Sequence, residues 1–167
     1  ERFCNKMINN IIYTTKISES IDKLLSEKEY DKLFILTDEN THSFAMPLLA
    51  DSEMCASAKE IIILADDTNK NLQNLSTIWS ALVEEGATRK SLLVNLGGGM
   101  ITDMGGFAAA TFKRGIEYIN VPTTLLGAVD AAVGGKTGIN FEGLKNEIGA
   151  FKQPSAVISD TQFFKTL

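Results

Sequence analysis

Short apolar runs alternate along the chain with segments whose apolar residues recur every three or four positions. "IIYTT" (11–15), "KLFILTD" (32–38), "EIIILAD" (60–66), "SLLVNL" (91–96), "IEYINV" (116–121) and "SAVISD" (155–160) are too short for buried helices and are bounded by polar or glycine-bearing turns, which predicts strands. "SESIDKLLSEK" (18–28) sets Ile21, Leu24 and Leu25 at helical spacing. "NLQNLSTIWSALVEEG" (71–86) aligns Leu72, Leu75, Ile78, Trp79 and Leu82 in one stripe and ends on Gly86, where a C-cap belongs. "THSFAMPLLA" (41–50) supports only a short or kinked helix, because Pro47 lacks an N–H. "TDMGGFAAATF" (102–112) predicts a helix of small residues, "TTLLGAVDAAV" (123–133) a turn into a helix, and "TQFFKTL" (161–167) the start of another.

Repeated strand–helix alternation predicts one domain over residues 1–167: a Rossmann-like α/β fold, with a doubly wound parallel sheet and helices on its faces. Ligands in such sheets bind at the C-terminal ends of the strands. The polar and glycine-rich clusters fall there: Asp38 to Asn40, Asp66 to Lys70, Gly97 to Asp103, and Thr123 with Thr124. The chain stops as a helix begins, so it is expected to be part of a longer protein.

Composition narrows the chemistry. The 167 residues are 44% hydrophobic and 22% charged, enough for a proper core. A net charge of −5 argues against a nucleic-acid surface, yet cations gathered in one cleft could still hold a small anion. No run of apolar residues is long enough to span a membrane, and "ERFCNKMINNIIYTT" lacks the order of a signal peptide. Cys4 and Cys55 have neither metal-ligand nor redox spacing, which points to reduced thiols in a cytoplasmic protein. His42 is the single histidine, so a zinc or cobalt site built from several histidines cannot come from this chain alone; His42 itself reads as a surface or capping residue.

Gly135-Lys136-Thr137 resembles the end of a phosphate-binding loop, but Asp130 stands where that loop needs its first glycine and would repel phosphate. "LGGGMITD" (96–103) is the stronger signal. Its glycines allow backbone to approach a pyrophosphate and the following helix offers free N–H groups, although Thr102 breaks the dinucleotide spacing; a ligand-free tight turn is the lesser alternative. Thr123 and Thr124 can cap a helix or hold a ligand. Lys136, Lys145 and Asn146 lie in a glycine-rich, weakly patterned stretch (134–151) suited to a phosphate or carboxylate, with ordinary surface lysines as the alternative. Asp130 is near enough in sequence to pair with Lys136 or accept a substrate hydroxyl, and Arg114 is an anion clamp or an exposed turn residue.

Together these residues resemble a known family. "LGGGMITDMGGFAAATFKRGIEYINVPTTLLGAVDAAVGGKTGINFEGLKNEIGAFKQP" is similar to the 3-dehydroquinate synthases, densely over 96–167 and more loosely before, with GGKTGIN followed by KN-IGAF-QP the most specific part. The resemblance implies an NAD-binding N-terminal domain, a helical metal-binding C-terminal domain absent from this chain, and a homodimer. The reaction it implies converts 3-deoxy-D-arabino-heptulosonate 7-phosphate to 3-dehydroquinate and phosphate with catalytic NAD and a divalent zinc or cobalt ion.

By the same resemblance Asp38, Asn40, Asp67 and Lys70 fall on the adenosine side of NAD. Gly98, Gly99, Met100 and Asp103 fall at the pyrophosphate turn, and Thr123, Thr124, Leu126, Phe163, Thr166 and Leu167 at further NAD contacts. Asp130, Lys136, Lys145 and Asn146 match the substrate pocket, with Lys145 also touching NAD, and Arg114 matches an arginine reaching a neighbouring subunit's substrate phosphate. Two departures stand out. Asp66-Asp67-Thr68-Asn69-Lys70 replaces Gly-Glu-x-x-Lys, and Ala131 and Ala132 replace serines. Another sugar-phosphate cyclase, a polyol dehydrogenase of the same superfamily, or a free-standing nucleotide-binding module remain as alternatives.

Overall fold

A computed structural model describes residues 10–131 and 134–166; the side chains of Asp130, Ala131 and Thr166 lie outside the description. In chain order the regular elements are β1 (Ile11–Thr14), α1 (Ile17–Ser26), β2 (Leu33–Asp38), α2 (Glu39–Phe44), β3 (Lys59–Ile63), α3 (Leu72–Glu84), β4 (Leu92–Gly97), α4 (Gly99–Thr111), β5 (Glu117–Pro122), β6 (Lys136–Phe141), β7 (Leu144–Phe151) and β8 (Ala156–Asp160). β1 to β5 and β8 form one six-stranded sheet in the order β1-β8-β5-β4-β2-β3, and every pairing in it is parallel. This is the expected Rossmann-like α/β layout.

Period-two alternation sorts the strand residues onto two cores. Phe34, Leu36 and Leu93 face one side, with Leu75, Ile78 and Leu82 of α3 and Met104 and Ala108 of α4. Leu33, Ile35, Leu92 and Val94 face the other, with Ile21, Leu24 and Leu25 of α1. Both faces are covered, which is why these strands read as unbroken apolar runs. α3 ends as expected: Gly86 takes φ +70, its N–H donates to Val83 O, and Ala87 N–H donates to Leu82 O, the paired bonds of a Schellman motif. Leu72 departs from the predicted stripe. It is the first helical residue, after the Asn71 cap, and stays 49% exposed.

Three segments differ from expectation. Residues 127–131 form a π-helical turn, and 161–166 a 3₁₀ turn rather than an α-helix. The largest difference is β6 and β7, an antiparallel hairpin where the sequence shows no strand pattern. Glu142 and Gly143 make its two-residue loop, with φ +50 and +77, the left-handed pair that suits strand twist. The hairpin packs on α4, and this explains the small residues of that helix. A Cβ on Gly106 would meet Thr137 Cγ2 at 2.5 Å, so glycine there sets how closely the hairpin can lie.

Candidate functional site

The strand order reverses at β2 and β4: β3 lies on one side of β2, while β4 and then β5 lie on the other. A crevice for ligands opens at such a switch point, beyond the C-terminal ends of the strands. The ends of β2, β3, β4 and β5 deliver Asp38, the 67–70 turn, Gly97 to Gly99 and Thr123 to that edge.

At the end of β4 the chain turns straight into α4. Gly98 is the N-cap and supplies no side-chain hydrogen bond, so among the described residues no capping side chain accepts the first amides of α4. Thr123 N–H donates to Gly97 O at 3.0 Å, and a Cβ on Gly98 would sit 3.2 Å from Thr124 Cγ2. The glycine turn therefore lies flat against the start of the next connection. Thr123 Oγ1 is buried there without a partner among the described residues, while Thr124 Oγ1 accepts the Gly127 N–H at 3.0 Å. Thr124 is thus a cap, one of the two roles foreseen for it. Free amides on a helix N-terminus with an adjacent bare hydroxyl suit the pyrophosphate of a dinucleotide.

Asp38 is the N-cap of α2: its carboxylate accepts the Thr41 N–H at 2.8 Å, and Thr41 Oγ1 accepts the Asp38 N–H at 2.9 Å. Asn40 is exposed on the first turn of α2, and His42 is a surface residue bonded through Nδ1 to Glu60 at 2.8 Å.

The 67–70 turn carries the tightest polar cluster. Lys70 is 4% exposed, yet its ammonium is satisfied: Nζ donates to Asp103 Oδ2 at 2.6 Å and to Asn146 Oδ1 at 2.5 Å. Residues 33 and 76 positions apart in sequence thus meet on one cation. Lys145 pairs with Asp67 at 3.3 Å on the exposed rim, a contact of small energetic weight. Beside the cluster, Tyr118 donates its hydroxyl to Lys152 O, and burial, followed by the Asp103 charge, drives the phenol pKa upward.

Asp66, which opens this turn, takes φ +85, a region that favours glycine. Asp66→Gly is expected to raise stability by about 1 kcal/mol through relief of backbone strain, read as a melting temperature higher by a few degrees. The loss of the 3.4 Å Thr68 N–H to Asp66 bond is the smaller effect.

Between α4 and the hairpin lies a cavity of about 460 Å³, lined by Asp103, Lys136, Thr137, Gly138, Asn146, Gly149, Ala150 and Phe151. Lys136 is exposed and makes no ion pair with a described residue. The structure thus brings Lys136, Asn146, Asp103 and Lys70 together beside the glycine turn. Arg114 stands apart, at the opposite end of the sheet before β5, with Thr88, Arg89 and Lys113 and with φ +67. Phe163 is buried in the core cluster beneath α1, and Leu126 is 76% exposed. The side chains of Asp130 and Thr166, and all of Leu167, lie outside the described residues. Among the described residues no group of three His, Cys, Asp or Glu side chains could hold a metal ion, so these residues do not fit one.

The six-stranded parallel sheet with helices on its faces is the Rossmann-like fold of the dehydroquinate synthase-like class, which solved structures share. A 2-deoxy-scyllo-inosose synthase, solved with carbaglucose-6-phosphate, NAD⁺ and Co²⁺, aligns with TM-score 0.82 and 26% identity over 92% of this chain and 43% of its own. The 2-epi-5-epi-valiolone synthase of Streptomyces hygroscopicus subsp. jinggangensis, solved with NAD⁺ and Zn²⁺, aligns with TM-score 0.82 and 27% identity over 95% of this chain and 44% of its own. The chain belongs to the family described as 3-dehydroquinate synthase N-terminal, which matches residues 60–167. A 3-dehydroquinate synthase of Parabacteroides distasonis is 55% identical over 157 residues, 94% of this chain and 44% of the relative. One of Clostridium tetani is 38% identical over 161 residues, 93% of this chain and 43% of the relative. The chain therefore spans less than half the length of these relatives.

Proposed function

We propose that this chain is the NAD-binding half of a 3-dehydroquinate synthase, which converts 3-deoxy-D-arabino-heptulosonate 7-phosphate to 3-dehydroquinate and phosphate. The observation that carries the reading is the family match joined to the lysine–carboxylate–amide cluster beside the glycine turn. NAD, when bound, supplies a hydride acceptor for the substrate carbinol. The first amides of α4 and the Thr123 hydroxyl hold its pyrophosphate side. Lys70, paired with Asp103, orients Asn146. Lys136, exposed on the cavity wall, binds the anionic groups of the substrate by charge-assisted hydrogen bonds. The metal ligands and the rest of the substrate pocket come from outside this chain, and the active assembly is a cytoplasmic homodimer in which Arg114 serves the neighbouring subunit.

Turnover by the full-length protein tests this reading. Dehydroquinate and phosphate in equal amounts from the heptulosonate phosphate, with no net NADH, are the expected products. Net NADH from a polyol would assign a dehydrogenase instead, and cyclisation of another sugar phosphate a sister cyclase. The isolated chain is expected to release no phosphate and to bind NAD weakly. Loss of contacts worth ~3 kcal/mol lowers affinity ~100-fold, and calorimetric titration at millimolar NAD reads it.

A further inference from the structure

We propose that Asn140 is a positioning residue that sets the conformation of Asn146 and so aims the Asn146 amide into the cavity; the catalytic part of this proposal rests on the function proposed above. The β6–β7 register shifts between Ile139 and Phe141, so Asn140 sits at the irregularity. A bulge of this kind turns a residue out of the ladder and re-aims it. Three polar groups of Asn140, its backbone N–H and both side-chain polar atoms, are then used. Its backbone N–H donates to Lys70 O at 2.8 Å. Its Nδ2 donates to Asp67 O at 3.3 Å. Its Oδ1 accepts the Asn146 N–H at 2.9 Å.

That last bond falls on a residue under conformational cost. Asn146 takes φ +53, open to asparagine but unfavourable for L-residues in general. With the backbone so held, its side chain reaches Lys70, and the orientation of the amide follows from chemistry. An ammonium only donates, so the oxygen of Asn146 must face Lys70 Nζ, which it does at 2.5 Å. The NH₂ group is left over. It donates no hydrogen bond to a described residue, and Asn146 lines the cavity. Lys70 thus decides that the cavity receives a donor, suited to a substrate carboxylate, phosphate or hydroxyl, and Asn140 holds the backbone from which that donor is aimed. The bonds of Asn140 to Asp67 O and Lys70 O anchor it on the turn that carries Lys70, which ties the substrate wall to the cofactor side.

The test uses the full-length protein with Asn140→Ala, Asn140→Asp and Asn146→Gly. The last keeps the left-handed backbone and removes the amide. Asn140→Ala is expected to lower kcat/KM for the heptulosonate phosphate roughly 10- to 100-fold, as small misplacements of a binding group do. Combined with Asn146→Gly it is expected to cost no more than Asn146→Gly alone, because Asn140 acts through Asn146. Asn140→Asp keeps the acceptor for the Asn146 N–H and is expected to recover most of the loss. Amide hydrogen exchange over residues 142–151 is expected to quicken in Asn140→Ala and return toward normal in Asn140→Asp, a readout independent of turnover. Multiplying losses in the double variant, an Asp variant as impaired as the Ala variant, or unchanged exchange would overturn the proposal. If the wild-type protein turns over no heptulosonate phosphate, the proposed function falls while the exchange comparison still decides the role of Asn140.

Discussion

Lys70→Ala in the full-length protein is expected to destabilise it by about 3–5 kcal/mol, because the change removes one partner of a buried ion pair and leaves the other charged. Lys70 has 5% of its side chain exposed and Asp103 has 19%, so little water can replace the ammonium. Asn146 loses its partner at the same time and its left-handed backbone loses an anchor. At ~2–4 °C per kcal/mol for a domain of this size, the melting temperature should fall by roughly 6–20 °C. A companion variant separates electrostatics from packing. Lys70→Met with Asp103→Leu removes both charges and is expected to recover much of the stability, as buried pairs replaced by apolar residues often do. It should not recover NAD affinity, since both residues lie where the cofactor is proposed to bind. Thermal melts with and without NAD check both statements. A Lys70→Ala melt within 2 °C of wild type would show that Asp103 does not depend on this cation.

The second large effect is kinetic. Lys136→Ala is expected to remove a charge-assisted hydrogen bond to substrate, worth ~1.5–3 kcal/mol, and to lower kcat/KM roughly 10- to 150-fold. Its side chain is exposed and makes no ion pair with a described residue, so the melting temperature should move by no more than about 1–2 °C. NAD affinity should stay near wild type. A phosphate-loop lysine would instead lose nucleotide binding, and a structural lysine would lose stability with kinetics intact. One variant measured three ways distinguishes these roles; collapse of NAD affinity with normal kinetics at saturating NAD would remove Lys136 from the substrate.

The sheet was legible because its strands are buried on both faces. Runs such as "KLFILTD" need no alternation to be recognised, and Gly86 and Pro47 punctuate the helices where their backbone chemistry demands. The hairpin was not legible, for reasons visible in its residues. β7 is exposed along nearly its whole length, so no apolar alternation marks it. Gly138 and Gly149 stand opposite each other in the ladder, where crowding rather than propensity decides: a Cβ on Gly149 would come within 1.9 Å of Thr137 O. Its Glu142-Gly143 loop is a weaker signal than Asn-Gly or Asp-Gly.

The site followed the same division. The glycine turn and the lysines of the 134–151 stretch could be named from the chain, but the meeting of Lys70 with Asn146 could not, since only the undetected hairpin brings them together. Asn140 left no signal beyond its place in GGKTGIN. Asp38, placed by resemblance on the adenosine side of NAD, shows how one residue type serves two ends: its carboxylate already closes a capping box.

The strand order also sets a timetable. β1 has one neighbour in the sheet, β8, and the Asn10 carbonyl waits for the Val157 N–H. At ~5–20 residues per second, roughly 10–30 s of synthesis separates the two strands. During that interval β2, β3, β4 and β5 can pair among themselves, while β1 has no strand to join. Contacts so distant in sequence form slowly, because a long loop must close first. Of the described strands β1 is made first and secured last, and Tyr13, 80% exposed on it even at the end, marks a margin of the sheet open to other chains while it waits.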